Sequence, residues 1–254
     1  MTHKFEVSKL FALGLLMLLG NSLFGQKLQV KNLQCEYKAE PPGIEVLQPK
    51  LSWQLSSVQR NIAQIAYRVL VADNPGSITK NIGNIWDSKK VVSPQSIQVL
   101  YGGQKLVSAK KYYWKVMVWD NQNNNSGWSS LGKWQMGLLT QADWKGARWI
   151  AYETMPDSVR LRPNTSEAVR KPIKDILPLL RKEFTATKPI KQATVFIAGL
   201  GHFDLSINGK KAGNHFLDAG WTNYDKHALY VTFDVTQQVK QGRNAIGVML
   251  GNGF

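Results

Sequence analysis

One cysteine, Cys35, stands in a chain of 254 residues. No intramolecular disulfide is available, and stability must come from packing. Acidic residues are also scarce: 17 Asp and Glu face 32 Lys and Arg, giving a formal charge of +15. The basic residues are nevertheless dispersed from Lys27 to Arg243, and Arg170-Lys171, Arg181-Lys182 and Lys210-Lys211 are only pairs. That spacing describes a solvated basic surface, and no nucleic acid is expected as a partner. Beyond Leu19 there is no long apolar run, so no membrane span is expected. The four histidines, His3, His202, His215 and His227, show no metal-ligand spacing. Gly199-Leu-Gly201 lacks the third glycine and following helix of a dinucleotide loop. The scattered carboxylates form no pair in the setting of a general acid and base, so no catalytic residue is expected in this chain.

What is present begins with Met1 to Gly25. Lys4 and Lys9 sit in a polar start, Leu10–Leu19 is apolar, and Ser22-Leu-Phe-Gly25 closes the segment. These are the parts of a secretory signal, which implies an exported protein, periplasmic or extracellular. Gly20-Asn21-Ser22 interrupts the apolar run too early for a membrane anchor, since a span needs roughly 20 apolar residues.

From Lys27 the chain alternates short strands with turn signals. Leu51, Trp53 and Leu55 share one face of a strand, and Trp53 is the expected core anchor. Ile65, Tyr67, Val69 and Val71 repeat the pattern, with Asp73-Asn-Pro-Gly76 as its end. Ile85–Ser88, Ser96–Tyr101, Tyr112–Asp120 and Lys133–Gly137 continue the series. Seven strands over residues 27–139 predict a fibronectin- or immunoglobulin-like sandwich. Tyr113 and Trp119 fall opposite the inferred core, where loops would cover them or a sugar or peptide would stack. Residues 138–150 read as a linker, with Trp144 and Trp149 expected to pack at the junction. Residues 153–178, carrying Pro156, Pro163, Pro172 and Pro178, read as a surface loop insertion.

The second part, 140–254, is also all-β. Phe203, Leu205 and Ile207 alternate with Asp204, Ser206 and Asn208, so the strand has one apolar and one polar face. Asn208-Gly209 supplies two residues that accept positive φ, the signature of a tight hairpin. Tyr230–Thr236 and a strand from Asn244 follow. The last strand has no return partner within the sequence, which suggests a longer polypeptide.

Particular residues give the chain a family resemblance. Pro49-Lys-Leu-Ser-Trp53, Trp86-Asp-Ser88, Tyr113–Asp120 and Gly137-Leu-Leu139 resemble the N-terminal sandwich of bacterial α-L-rhamnosidases. Arg148-Trp-Ile150, Leu205–Lys210, Gly220-Trp-Thr-Asn-Tyr224, Asp234-Val-Thr236 and Leu250-Gly-Asn-Gly253 are similar to the module that follows it in that family. The resemblance implies a fibronectin/immunoglobulin-like sandwich followed by a truncated jelly-roll-like β-sandwich. It also implies a secreted inverting glycoside hydrolase acting on terminal α-L-rhamnose of glycosides or pectic polysaccharides. Catalysis in that family lies in a later (α/α)6 barrel, absent here, where two carboxyl groups stand roughly 6.5–9.5 Å apart. In some rhamnosidases a sandwich module of this broad type binds rhamnose with help from calcium, which takes several oxygen ligands. Asp204, Asn208 and Asn252 would supply sugar-binding oxygens, with Asn223 and Asp225 offering the same chemistry, and Trp221 or Tyr224 a stacking ring. Each also has a structural reading: turn chemistry for Asn208, core packing for Trp221 and a strand-end bend for Asn252. A free-standing carbohydrate-binding protein is the alternative function.

Overall fold

The computed structural model describes residues 28–151 and 177–251. The signal-like segment 1–25, nearly all of the 153–178 insertion and Asn252 lie outside the described residues. The chain forms two compact units, the first built from 46–105 and 111–134 together with residues up to Pro41, the second from 42–45, 106–110 and 135 onward.

The first unit is the expected sandwich. A three-stranded sheet joins β1 (Gln29–Cys35), β2 (Lys50–Ser56) and β6 (Val99–Leu100) in the order β1-β2-β6. The second sheet runs from β4 (Trp86–Asp87) through β3 (Gln64–Ala72) and β7 (Lys111–Asp120) to β8 (Gly132–Gln135), with β5 (Val91–Val92) also on β3. Leu51, Trp53, Val69, Val71, Trp114, Val116 and Trp134 are buried, as the alternation of two predicts. Tyr67 meets Trp53 edge-on at 5.4 Å, and Tyr112 stacks on Trp134 at 5.5 Å. Among the buried polar side chains of this unit, Gln64 meets the tryptophan core directly. Gln64 accepts from the Trp53 indole at 3.0 Å and donates to the carbonyls of Ser93 and Gln95 at 3.2 and 2.7 Å. The buried amide is thereby satisfied and fixes the entry of β3. Cys35 is buried on the same side, and burial, with the Glu36 charge adding to it, pushes its thiol upward, away from reactivity.

The opposite face of β3 and β7 is covered too. The Asp73–Gly76 stretch, expected only to end a strand, starts a short helix α1 (Pro75–Thr79), with Asn74 accepting from the Ser77 N–H and Pro75 in the first turn. Ile78 of α1 packs on Leu70 and Ala72, with Tyr113 and Trp128 against them. Lys90 lies 4.6 Å from the Trp119 ring, and Arg68 and Lys115 lie 5.8 and 5.2 Å from Trp128. Tyr113 and Trp119 are therefore half-buried, and local structure covers them. Ser126 and Ser129 hold the polar stretch after β7 in place, each exchanging hydrogen bonds with Val118 and Val116 respectively.

The second unit stacks two sheets. Four strands, β12 (Lys210–Lys211), β11 (Phe203–Ile207), β14 (Gly242–Leu250) and β9 (Leu179–Ala186), lie in that order, and β10 (Thr194–Ala198) pairs with β13 (Tyr230–Asp234). Phe203, Leu205 and Ile207 meet Phe233 and Val235 in the core, flanked by Val195, Ile197 and Val231. The other face of β10 and β13 receives residues 135–144. Gln135 donates to Thr194 at 3.0 Å, and the Tyr230 hydroxyl accepts from the Leu138 N–H at 2.9 Å. Trp144 packs edge-on against Tyr230 at 5.4 Å, whereas Trp149 is 65% exposed. Burial, joined by a hydrogen bond to Glu45, pushes the Tyr230 phenol upward, and it stays neutral as a donor and acceptor.

The Arg68–Asp87 pair offers a test of the first unit. Arg68 reaches both carboxylate oxygens of Asp87, at 2.9 and 2.8 Å, and Lys89 adds a contact at 2.6 Å. The Arg68 hydrogen bonds, supported by Lys89, hold the Asp87 carboxyl well below the usual carboxylate range. A depressed folded-state pKa adds stability that is complete above the ordinary aspartate value of about 3.9 and is lost as pH falls below it. Asp87→Asn should cost about 1–2 kcal/mol at pH 7, solvent at the partly exposed Arg68 limiting the figure. In urea melts the gap between wild type and variant should close as pH drops below about 4.

Candidate functional site

β11 carries the site because its two faces have opposite chemistry. Its odd residues enter the core, and Asp204 and Ser206 point away from it. In register beside them, Met249 pairs with Asp204 and Gly247 with Ser206 on β14, while Leu179 and Arg181 of β9 stand opposite Met249 and Gly247. Lys211 faces Ser206 from β12. These side chains line an open depression of about 500 Å³ on the outer face of the four-stranded sheet. Gly247 lies under Ser206: a Cβ there would stand 2.8 Å from Ser206 Oγ, which donates to the Gly247 carbonyl at 3.2 Å.

The walls are charged. Lys211 Nζ lies 2.7 Å from Asp204. Arg181 and Arg243 both reach Glu183, at 2.6 and 3.0 Å. The two guanidinium bonds, Arg181 first, hold the Glu183 carboxyl below its ordinary value, so it is an anion at neutral pH. At the rim, Phe216 is 84% exposed, with Lys211 Nζ 4.7 Å from the centre of its ring.

The five residues expected from the sequence do not converge. Asp204 faces the depression. Asn208 lies at the far end of β11, about four strand residues or ~13 Å along the chain. There it forms the tight turn with Gly209 at φ of 51° and 77°. Its side-chain oxygen accepts from the Ala245 N–H at 2.9 Å, and its amide nitrogen donates to Gln238 O and Asn244 Oδ1 at 2.8 and 2.9 Å. Both ends of the amide are thus engaged within the chain. Tyr224 is tied to the opposite end of β11, its hydroxyl accepting from the Gly201 N–H at 3.1 Å. Trp221, on the same loop, is 64% exposed rather than packed in a core. Asn252 lies outside the described residues.

Asp204 is paired with Lys211, Asn208 is committed elsewhere, and no group of three or more His, Cys, Asp or Glu side chains could hold a metal among the described residues. Sequence reasoning missed Arg181, Lys211, Gly247 and Phe216. The polar phase of β11 was the available signal, but the facing positions on β14 and β9 depend on long-range register.

Two family models divide the chain. Residues 30–140 match the Rha78A-like N-terminal immunoglobulin domain, and residues 188–254 match the alpha-L-rhamnosidase N-terminal domain. The chain belongs with the N-terminal modules of the alpha-L-rhamnosidase family. An alpha-L-rhamnosidase of Formosa agariphila is 38% identical over 222 residues, covering 85% of this chain and 23% of that protein. Another, from an Alteromonas species, is 33% identical over 216 residues, or 84% of this chain and 22% of that protein. Among solved structures, the alpha-L-rhamnosidase of Dictyoglumus thermophilum superposes with a TM-score of 0.76 at 34% identity, over 89% of this chain and 25% of that one. The enzyme of Aspergillus terreus gives 0.70 at 26% identity, over 88% and 24%. The chain therefore spans under a quarter of the length of these curated relatives. In this rhamnosidase module the Asn208 turn is part of the framework.

Asn208→Ala should accordingly behave as a folding mutation. It puts a Cβ-bearing residue without local hydrogen bonds at positive φ and strands the Ala245 N–H and two acceptors, a cost of about 2–4 kcal/mol. Thermal unfolding should show this loss, and Asn208→Gly, which removes only the backbone strain, should recover about 1 kcal/mol of it.

Proposed function

We propose that this chain supplies the non-catalytic N-terminal modules of an exported α-L-rhamnosidase, a glycoside hydrolase that releases terminal α-L-rhamnose. The observation that carries the reading is the succession of the two family modules, matched in the order 30–140 then 188–254. The relatives of which these modules form under a quarter are named as alpha-L-rhamnosidases. The signal-like Met1–Gly25 supports export. Among the described residues no helix is long and apolar enough to cross a membrane.

No residue of the chain is assigned a chemical step. Inverting glycoside hydrolysis needs a protonated carboxyl above the leaving oxygen and a carboxylate across the sugar, roughly 6.5–9.5 Å away with room for water. Near the depression Asp204 is bonded to Lys211 and Glu183 to two arginines, and the two guanidinium bonds hold the Glu183 carboxyl below its ordinary value, which does not suit a general acid. The second module's part is recognition of the glycan, with Asp204 on the outer sheet face offering hydroxyl acceptors and, on a separate loop, Trp221 and Tyr224 offering rings, while Asn208 serves the turn.

Purified chain incubated with an aryl α-L-rhamnoside should release no aglycone above the buffer blank. The same modules expressed with a helical barrel that follows them in the coding region should release it. Turnover by the 254 residues alone would contradict the assignment, and so would a barrel-containing protein that leaves the rhamnoside intact and cleaves another glycoside.

A further inference from the structure

The sequence has two Asn-Gly pairs, Asn208-Gly209 and Asn252-Gly253, of which the second lies outside the described residues. In such a pair the backbone nitrogen of the glycine stands next to the asparagine side-chain amide with no Cβ to shield it. Asn208 and Gly209 are both exposed, and a Cβ built on Gly209 would meet nothing within 4 Å. Water and hydroxide therefore reach the turn. What keeps the pair apart is the position of the Asn208 side chain. Its Oδ1 accepts from the Ala245 N–H at 2.9 Å, and its Nδ2 donates to Gln238 O at 2.8 Å and to Asn244 Oδ1 at 2.9 Å. These three bonds fix both side-chain torsions, and the hairpin fixes the backbone at positive φ. While they stand, Asn208 Cγ cannot swing onto the Gly209 nitrogen.

We infer that Asn208-Gly209 is a conformationally gated modification site: it is closed to deamidation while β11 and β14 hold their register, opens when the turn is released, and cannot re-form the native clamp once its amide is lost. The chemistry needs only water. With the turn open, the Gly209 nitrogen gives up its proton to hydroxide and attacks Asn208 Cγ. The N–Cγ bond forms, the Cγ–Nδ2 bond breaks, and Nδ2 takes a proton from water and leaves as ammonia. The resulting succinimide takes up one water, which opens it at either carbonyl to aspartate or isoaspartate. No oxidation or reduction occurs. Neither product fits the clamp. An ionised carboxylate has no hydrogen to donate, so Gln238 O and Asn244 Oδ1 would each face an oxygen in place of an N–H. Isoaspartate also adds a methylene to the main chain of a two-residue turn whose geometry sets the β11–β12 register. In either case the buried Asn244 loses a donor to its Oδ1. Opening of the second unit is thereby converted from a reversible excursion into irreversible loss.

The test follows the tryptic peptide 192–210, which contains Asn208 but neither Asn244 nor Asn252, by mass spectrometry during incubation of the full chain in mildly alkaline buffer. Conversion at Asn208 should be about tenfold or more slower in the native chain than in the same chain unfolded in guanidinium chloride. The aspartate product made directly, Asn208→Asp, should melt below wild type. Wild-type chain aged in denaturant until Asn208 has converted should, after the denaturant is removed, also melt below chain refolded at once. Asn208→Gly has no amide to lose at this position, and after the same ageing it should refold to its own unaged melting temperature. Equal conversion rates in native and unfolded wild type would overturn the gating. Wild-type melting of Asn208→Asp would overturn the loss of the clamp. A drop in aged Asn208→Gly as large as that in aged wild type would place the damage elsewhere and overturn the assignment of the site.

Discussion

Asn208 and Asn244 hold each other across two strands of the second unit, with Nδ2 of the first 2.9 Å from Oδ1 of the second. Each is committed in several directions. Asn208 closes the β11–β12 hairpin, accepts from Ala245 and donates to Gln238. Asn244 is 3% exposed and donates to the carbonyls of Lys240 and Gly242 while accepting from the Lys240 N–H. Asn244 is the buried member and Asn208 stands at the exposed turn, and the partners of the buried amide are all supplied. The pair pins the start of β14 to the end of β11. A slip by one residue would exchange the apolar and polar faces of both strands. The core of Phe203, Leu205 and Ile207 and the outer depression around Asp204 and Ser206 both depend on that register.

In a chain with one cysteine the two units are stabilised differently. The first is held by aromatic packing around Trp53, Trp114 and Trp134, with Gln64 as the single amide that organises it. Cations lie over the indoles of its second face, where lysine and arginine stems cover apolar area while the charges stay near water. In the second unit the polar face of the four-stranded sheet keeps paired charges, a glycine floor and an exposed phenylalanine.

Much of this was legible from local pattern. The alternation in Phe203–Ile207, the Asn208-Gly209 hairpin and the burial of Trp53 follow from period two and turn chemistry. The family resemblance rested on such local motifs, and the two matched models agree with it. Other features depended on partners far away in sequence. Asn208 had the same appearance as a sugar ligand or a turn residue until Asn244, 36 residues on, supplied its partner. Trp221 carries no neighbour signal that separates a core ring from an exposed one, and it is exposed. The depression draws on β9, β11, β12 and β14, whose adjacency is a matter of topology. The helix α1 is different, since its Asn74 cap and Pro75 were both visible and a strand-ending turn was read from the same residues.

Residue-resolved amide hydrogen exchange tests the asparagine clamp most directly. The amides of Asn208, Ala245 and Lys240, each bonded within the clamp, should exchange with the slowest class of the second unit, far behind those of the exposed 214–217 stretch, because their opening requires the β11–β14 register to break. Exchange of these three amides as fast as that of the exposed loop, in a protein whose β11 and β14 interior remains protected, would contradict the dependence of the unit on Asn208 and Asn244.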